Sequence, residues 1–364
     1  MALDRRWWVG LCAALWIASA GLGCASSTGH GGGSGGTGAA VGSSGAGGPA
    51  AGTGGVASAP SATASLDWRP FDASFVPPAP RRWRHWTSAL VAAGQPEHRG
   101  YDVVIARGRS AQLRAKFQYG ALYKDLEHED VGVWVRSAAA AGWQHVADAE
   151  TDGEGRVSLP LPASLANSPG VHFVKWVVYG DLTVADATVQ VLDGTRPAVV
   201  FDIDGTLTTD DEQALYQLLG SWLGAPYDPL MFPDADYVAR QLALAGHEIV
   251  YLTARPYFLE RASRRWLEAK GFPRGAVFTS ESAWRTLRNA AEARAFKRAE
   301  LDALRQAGLD WRYAFGNAVS DIEAYERAGI PKAGTWIIGP HAGEQGTQAL
   351  GAYRDLFGSL VPPR

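Results

Sequence analysis

Asp202 and Asp204 stand one residue apart in Val199-Val200-Phe201-Asp202-Ile203-Asp204-Gly205-Thr206-Leu207-Thr208. Apolar, β-prone residues run into the pair and a Gly-Thr turn follows. This places the carboxylates at the C-terminal end of a buried parallel strand, where open α/β sheets bind ligands. A carboxylate there can attack phosphorus and form an aspartyl-phosphate, provided a divalent cation relieves the repulsion between anions. Taken alone, the stretch reads equally well as a strand ending in an Asp-Gly turn, so the residues downstream carry the weight. Thr253 follows Ile249-Val250-Tyr251-Leu252 and offers a hydroxyl and an N–H where a helix is expected to begin, both suited to a phosphate oxygen. Arg255 either assists there or holds the loop. Lys297, in Phe296-Lys297-Arg298, can reach inward from a helix to neutralise a phosphoryl group, although exposure is the default for a helical lysine. Gly205 and Thr206 complete the candidate phosphate contacts. Gly316-Asn317 follows a further strand and Ser320-Asp321 opens the next helix, so Asp321 reads as an N-cap or as a hard oxygen ligand for Mg²⁺.

These residues need a sheet to converge. Glu248–Leu252, Ala276–Thr279, Arg312–Phe315 and Thr335–Ile338 read as strands after the first. Glu212–Leu223, Tyr237–Ala245, Phe258–Lys270, Ala283–Ala307 and Ser320–Ala328 read as the helices between them. The alternation predicts a doubly wound α/β domain over residues 196–364 with a parallel sheet. Gly271 and Gly308 stand where left-handed helix caps belong. The intervals from Asp202 to Thr253 and from Thr253 to Lys297 are filled by these elements, which leaves no room for a large cap domain. An uncapped site admits a bulky or membrane-embedded substrate, and equally a phosphoprotein or a nucleic-acid end.

Residues 67–195 read as an immunoglobulin-like β-sandwich. Tyr101–Arg107, Ala111–Tyr119, Val131–Arg136, Trp143–Asp148, Arg156–Leu161, Val171–Tyr179 and Thr183–Leu192 each look like a strand, separated by turn signals such as Asp152-Gly153. Trp134, Trp143 and Trp176 are expected to pack in it. Arg81-Arg82-Trp83-Arg84-His85-Trp86 suits an anionic membrane surface, or is a lead-in whose tryptophans pack on the sandwich. The acidic run of Asp125, Glu127, Glu129 and Asp130 around His128 reads as an exposed loop in preference to a cation site.

The front of the chain reads as an address. Arg5 and Arg6 precede an apolar run from Trp7 to Ala20, followed by Gly21-Leu22-Gly23-Cys24, which resembles a bacterial lipobox. The expectation is an exported, membrane-anchored bacterial lipoprotein, facing the periplasm or the cell surface. Its signal peptide would span 1–24, with an acyl anchor on Cys24 and a Gly/Ser/Ala-rich flexible linker over 25–66. Cys12 and Cys24, the two cysteines, both precede the folded domains and exclude a disulfide framework. A formal net charge of −3 gives no footprint for nucleic acid.

In order, Asp-Ile-Asp-Gly-Thr, Thr253, Lys297 and Gly-Asn-Ala-Val-Ser-Asp form a series similar to the four motifs of the haloacid dehalogenase-like phosphohydrolases. Val-Tyr-Leu-Thr-Ala-Arg-Pro and Asp-Ile-Glu-Ala-Tyr-Glu-Arg-Ala-Gly-Ile-Pro narrow the resemblance to the catalytic domain of lipins, the Mg²⁺-dependent phosphatidate phosphatases, over roughly Pro197 to Glu344. A similar domain ends the retinal-degeneration-B type phosphatidylinositol transfer proteins, where the nucleophile position is typically lost. The resemblance implies Asp202 as nucleophile, Asp204 as general acid and base, and Mg²⁺ held by the Asp202 carboxylate, the Asp204 main-chain carbonyl and Asp321. It further implies Thr253 and Lys297 on the phosphoryl oxygens, with Asn317 and Arg255 in support. The expected function is a Mg²⁺-dependent phosphatase acting on phosphatidate or a related phospholipid at a membrane surface. The alternatives are a phosphatase for another large or soluble phosphomonoester, and a non-catalytic phosphatidate-binding module.

Overall fold

The computed structural model describes residues 66, 68, 74–120, 122–137, 142–209, 228–281 and 289–364. The proposed signal segment, Cys24, nearly all of the linker and the expected helix Glu212–Leu223 lie outside them.

The first folded part is a β-sandwich. Its strands are β1 (Arg99–Gly100), β2 (Val103–Ala106), β3 (Gln112–Lys116), β4 (Gln118–Tyr119), β5 (Lys124–Asp125), β6 (Asp130–Arg136), β7 (Gln144–Glu150), β8 (Arg156–Pro160), β9 (Gly170–Val178) and β10 (Val184–Leu192). Helices α1 (Trp86–Val91) and α2 (Ala163–Ala166) are short. One sheet has the order β1-β3-β8 and the other β2-β10-β9-β6-β7; β4 and β5 form a separate ribbon. All pairs are antiparallel except β2 with β10. Alternation explains the packing: Val131, Val133 and Val135 of β6 point into a core with Leu113, Phe117, Val174 and Trp176. Trp176 is fully buried, whereas Trp134 and Trp143 are half-buried around Phe75.

The lead-in packs on this sandwich. Trp83 joins its core, and Arg81 reaches Asp148 at 3.0 Å while lying over the Tyr179 ring. Arg84 pairs with Glu150, and Glu129 accepts from the Arg84 and His85 amides, both at 2.9 Å. Asp125 pairs with Lys116 at 2.9 Å and Glu127 with Lys124, so much of the acidic run meets protein donors.

The second part is built on β11 (Arg196–Phe201), α3 (Ala235–Leu244), β12 (Glu248–Pro256), α4 (Glu260–Ala269), β13 (Ala276–Ser280), α5 (Ala290–Gln306), β14 (Leu309–Gly316), α6 (Val319–Arg327), β15 (Thr335–Ile338) and β16 (Gln348–Leu350). Its six-stranded sheet, ordered β13-β12-β11-β14-β15-β16, is parallel throughout. The chain moves outward from β11 through β12 and β13, then crosses back to β14. The direction therefore reverses beside β11, and the crevice at the carboxyl ends of β11, β12 and β14 is the expected ligand position. Helices cover both faces: Val238, Leu242 and Trp266 pack with Val199 and Phe201, and Leu301, Leu304 and Tyr325 pack with Val200 and Val250.

Three features depart from expectation. β12 runs on to Pro256 by pairing with β13 through Thr253–Thr279 and, past an irregularity, Pro256–Ser280. Thr253 therefore lies inside a strand and not at a helix start. β16 was not expected. Leu66 and Trp68, placed in the linker and the sandwich by the sequence, pack in the α/β core, with Trp68 Nε1 donating to the Phe272 carbonyl at 3.0 Å.

The two parts share one compact unit. Val104 and Leu192 of the sandwich pack with Ala198 and Leu301. Asp102 lies between β1 and β2 with a fully buried side chain. Its Oδ1 accepts from the Thr188 amide at 2.7 Å, and its Oδ2 accepts from the Val277 amide and Arg264 Nη2, each at 2.9 Å. Val277 belongs to the edge strand β13, so the sandwich closes off an N–H that an open edge would expose.

Candidate active site

Asp202 is the first residue after β11. Its main-chain amide donates to the Phe315 carbonyl of β14 at 3.0 Å, continuing the ladder so that the carboxylate leaves the strand end in a fixed direction. The side chain is buried. Lys297, on α5, is buried as well and places Nζ 2.9 Å from Asp202 Oδ1 and 2.6 Å from Asp321 Oδ1. Asp321 sits in the first turn of α6, fully buried, and its Oδ2 accepts from the Asn317 and Ala318 amides, both at 3.1 Å. Asp321 thus closes the first turn from the third helical position, with Ala318 and not Asp321 as the N-cap, while its Oδ1 faces Lys297. The close approach needs Gly316, where a Cβ would lie 2.7 Å from that of Asp321.

Burial pushes the Asp202 carboxyl above its usual range; Lys297 opposes this, and Asp321 and Asp204 add to it. Burial would lower the Lys297 ammonium, but Asp202 and Asp321 outweigh it and hold it above normal. Two carboxyl groups thus share one ammonium.

Asp204 points elsewhere. Arg255, fully buried, donates from Nε to Asp204 Oδ1 and Oδ2 at 3.0 and 2.9 Å, and from Nη2 to Oδ1 at 2.8 Å. Thr253 Oγ1 donates to Asp204 Oδ2 at 3.1 Å and accepts from the Arg255 amide at 3.1 Å. Arg255 Nη1 donates to Ser263 Oγ at 2.9 Å, and that hydroxyl donates to the Leu259 carbonyl at 2.8 Å, which ties the pair to α4. Gly205 takes φ +66°, which glycine adopts without strain, and its amide donates to Thr208 Oγ1 at 3.1 Å. Thr206 is buried, with its hydroxyl 3.4 Å from Asn317 Oδ1 and its carbonyl accepting from Tyr353 OH at 3.0 Å.

The expected residues therefore separate into two adjoining groups. Asp202, Lys297 and Asp321 form one, and Asp204, Thr253 and Arg255 the other. Among the described residues no three Asp, Glu, His or Cys side chains gather into a metal-binding group, because the Asp204 side chain is turned to Arg255. Asp202 and Asp321, held on one ammonium, are hard oxygen donors of the kind that suits Mg²⁺, which takes few protein oxygens and keeps waters. Ser263 and Tyr353 were missed. Ser263 is a serine inside an amphipathic helix, and nothing marks Tyr353, which arrives from the far end of the chain.

Residues 199–339 match the family model "PITM 1-3, LNS2 domain", and residues 96–191 match "PITM 1-3, beta-sandwich domain". Both folded parts resemble the PITM proteins. The LNS2 domain has the haloacid dehalogenase-like fold, so the coarse resemblance holds. The finer assignment to lipin catalytic domains is replaced by LNS2, whose domain model the same strand-end motifs fit. The chain is 30% identical over 273 residues to protein retinal degeneration B of Drosophila melanogaster, covering 74% of this chain and 20% of that protein. It is 33% identical over 207 residues to human membrane-associated phosphatidylinositol transfer protein 1, covering 56% of this chain and 16% of the relative. With human membrane-associated phosphatidylinositol transfer protein 3 the identity is 29% over 271 residues, 73% of this chain and 26% of the relative. The chain thus spans about a quarter or less of these relatives.

The relatives overturn the expected address. They are animal proteins named as membrane-associated transfer proteins or retinal degeneration B, and the reading as an exported bacterial lipoprotein with a signal peptide and an acyl anchor on Cys24 is withdrawn. The reading rested on two arginines, an apolar run and a lipobox-like tetrad before one cysteine, a loosely written signal. Among the described residues no helix is long and apolar enough to cross a membrane.

Proposed function

We propose that the LNS2-like domain is a Mg²⁺-dependent phosphatase for a phosphomonoester on a phospholipid, phosphatidate or a close relative. The observation that carries this reading is Asp202, an intact carboxylate at the switch point with Lys297 at 2.9 Å and Asp321 on the same ammonium. Asp202 Oδ attacks phosphorus, the bond from phosphorus to the ester oxygen breaks, and the departing oxygen takes a proton from Asp204. Water then attacks the aspartyl-phosphate, Asp204 takes its proton, and the bond from phosphorus to Asp202 breaks to release phosphate. Lys297 balances the charge that the transferred group brings into a buried site. A bound Mg²⁺, held by Asp202, Asp321 and the Asp204 carbonyl, supplies Lewis-acid neutralisation of the phosphoryl oxygens. To serve as acid, Asp204 must leave the Arg255 fork. The phospholipid class rests on the relatives' names, which concern phosphatidylinositol transfer.

A second reading is favoured by the Asp204–Arg255 pair itself: a module that binds phosphatidate and does not turn it over. The test is phosphate release by the purified full chain with Mg²⁺, using phosphatidate in mixed micelles beside soluble phosphomonoesters. Turnover of phosphatidate that falls about a thousandfold in Asp202→Asn and stops with EDTA is the expected result. Binding of phosphatidate with no phosphate release selects the second reading. Efficient hydrolysis of soluble esters alone selects a phosphatase for another phosphomonoester.

A further inference from the structure

The lip of the crevice is made partly by the sandwich. Just past the end of β12, Phe258 and Leu259 form a small apolar cluster with Tyr257 and Tyr123. Tyr123 comes from the sandwich and stacks on Phe258 with ring centroids 4.5 Å apart. It holds φ +52°, a left-handed conformation unfavourable for an aromatic residue. Its carbonyl accepts from Gln118 Nε2 at 2.8 Å and its amide donates to the Gly120 carbonyl at 2.9 Å, so the turn is pinned. The residue that this pinned turn presents is Leu122, 79% exposed.

A second segment adjoins the turn. The Gly120 amide donates to the Gln95 carbonyl at 2.8 Å, and a Cβ on Gly94 would lie 2.9 Å from Gly120. Gly94 and Gln95 leave the C-terminal end of α1, whose Trp86 and Leu90 stand at helical spacing and are 77% and 67% exposed. Three large apolar side chains thus project from two touching segments beside the site's lip. Isolated exposed apolar residues need no explanation, whereas a group of protruding ones marks an interaction surface.

We infer that Leu122, Trp86 and Leu90 form a docking edge that inserts into a phospholipid bilayer and brings the crevice to the membrane surface. The inference rests on the phospholipid reading above for its purpose, and on these exposures for its place. Charge complementarity selects the partner. Arg82, four residues before Trp86, and Arg265, on α4, are exposed cations. Glu97 is one acid against both Arg261 and Arg265, and other nearby acids are matched by protein groups: Glu127 with Lys124, Asp125 with Lys116, Glu129 on two amides. An indole beside cations suits the interface of an anionic bilayer.

The test is flotation of the full chain with vesicles of phosphatidylcholine, with and without phosphatidylserine, a lipid that bears no phosphomonoester. The wild type is expected to float with the anionic vesicles. Leu122→Asp, and separately Trp86→Ala with Leu90→Ala, should lower the partition coefficient about tenfold, the scale of one large apolar side chain withdrawn from lipid. Leu244→Asp is the control: Leu244 is 43% exposed at the C-terminal end of α3, towards the start of β12 and away from the crevice. Asp202→Asn should bind as the wild type does, so docking is read whether or not turnover exists. Failure of all ester hydrolysis would remove the phosphatase reading and leave this result standing. Partition unchanged in both docking variants, or lowered equally by Leu244→Asp, overturns the docking edge. So does a wild type that fails to float.

Discussion

Between Asp202 and Asp321, Lys297 sets a single ammonium against two buried carboxylates. Lys297→Met keeps the length of the side chain and removes the charge. Two carboxylates then share a desolvated space with no cation, and the expected cost is about 3–5 kcal/mol of unfolding free energy, read from urea titration. Added Mg²⁺ should recover part of that loss if it occupies the same cluster, and a variant as stable as the wild type would contradict the balance described. His98 offers a separate test of buried charge. Its Nδ1 accepts from the Gln118 amide at 3.3 Å and its Nε2 lies 2.8 Å from Thr183 Oγ1, so the neutral ring is the one that fits. Burial, aided by Arg261, lowers its pKa to about 3. Because the folded value lies below the unfolded one, the unfolded chain takes up the proton first as pH falls. Stability is therefore complete above about pH 6.5 and declines towards pH 3 by about 1.4 kcal/mol per pH unit from this residue. His98→Gln should flatten that slope in denaturation curves recorded at several pH values.

The junction of β14 and α6 shows how elements fix the site. Asp321 can bond both the Asn317 and Ala318 amides and still reach Lys297 only because the turn at Gly316 has no side chain. Gly316→Ala would press a methyl group on Asp321, against its Cβ at 2.7 Å and Oδ2 at 2.9 Å. Overpacking of this kind costs about 1–3 kcal/mol, and the displaced carboxylate should also reduce any Mg²⁺-dependent turnover. A thermal melt read beside phosphate release separates the two effects; loss of neither would show that the junction yields. The extension of β12 acts in the same way. By carrying Thr253 and Arg255 as strand residues, it aims one hydroxyl and one guanidinium at Asp204 from a rigid support.

At the scale of the whole molecule, Asp102 joins the sandwich to the edge of the parallel sheet. Asp102→Ala would leave the Val277 amide without its acceptor and Arg264 with one carboxylate fewer. The expected penalty is about 3–5 kcal/mol. The wild type should unfold in one transition by fluorescence and circular dichroism, while the variant should separate into two, because the shared anchor is lost. A single unshifted transition in the variant would place the coupling elsewhere, in the packing of Val104 and Leu192 against Leu301.

The α/β sheet and the strands of the sandwich were legible in the sequence because burial repeats with the period of the backbone: continuous for Val199–Phe201, alternate for Val131, Val133 and Val135. Asp202, Asp204 and Gly316 were legible for the same reason, since each sits at or just past a strand end, whereas Lys297 lies within α5 and was read from its place in the motif series. Their partners were not. That Arg255 would clasp Asp204, that Ser263 would hold Arg255, and that Asp102 would cap Val277 depend on side chains meeting across 8 to 175 positions of chain. No local pattern encodes such meetings. They are decided when the sheet brings distant strand ends together and desolvation requires each buried polar group to find a partner.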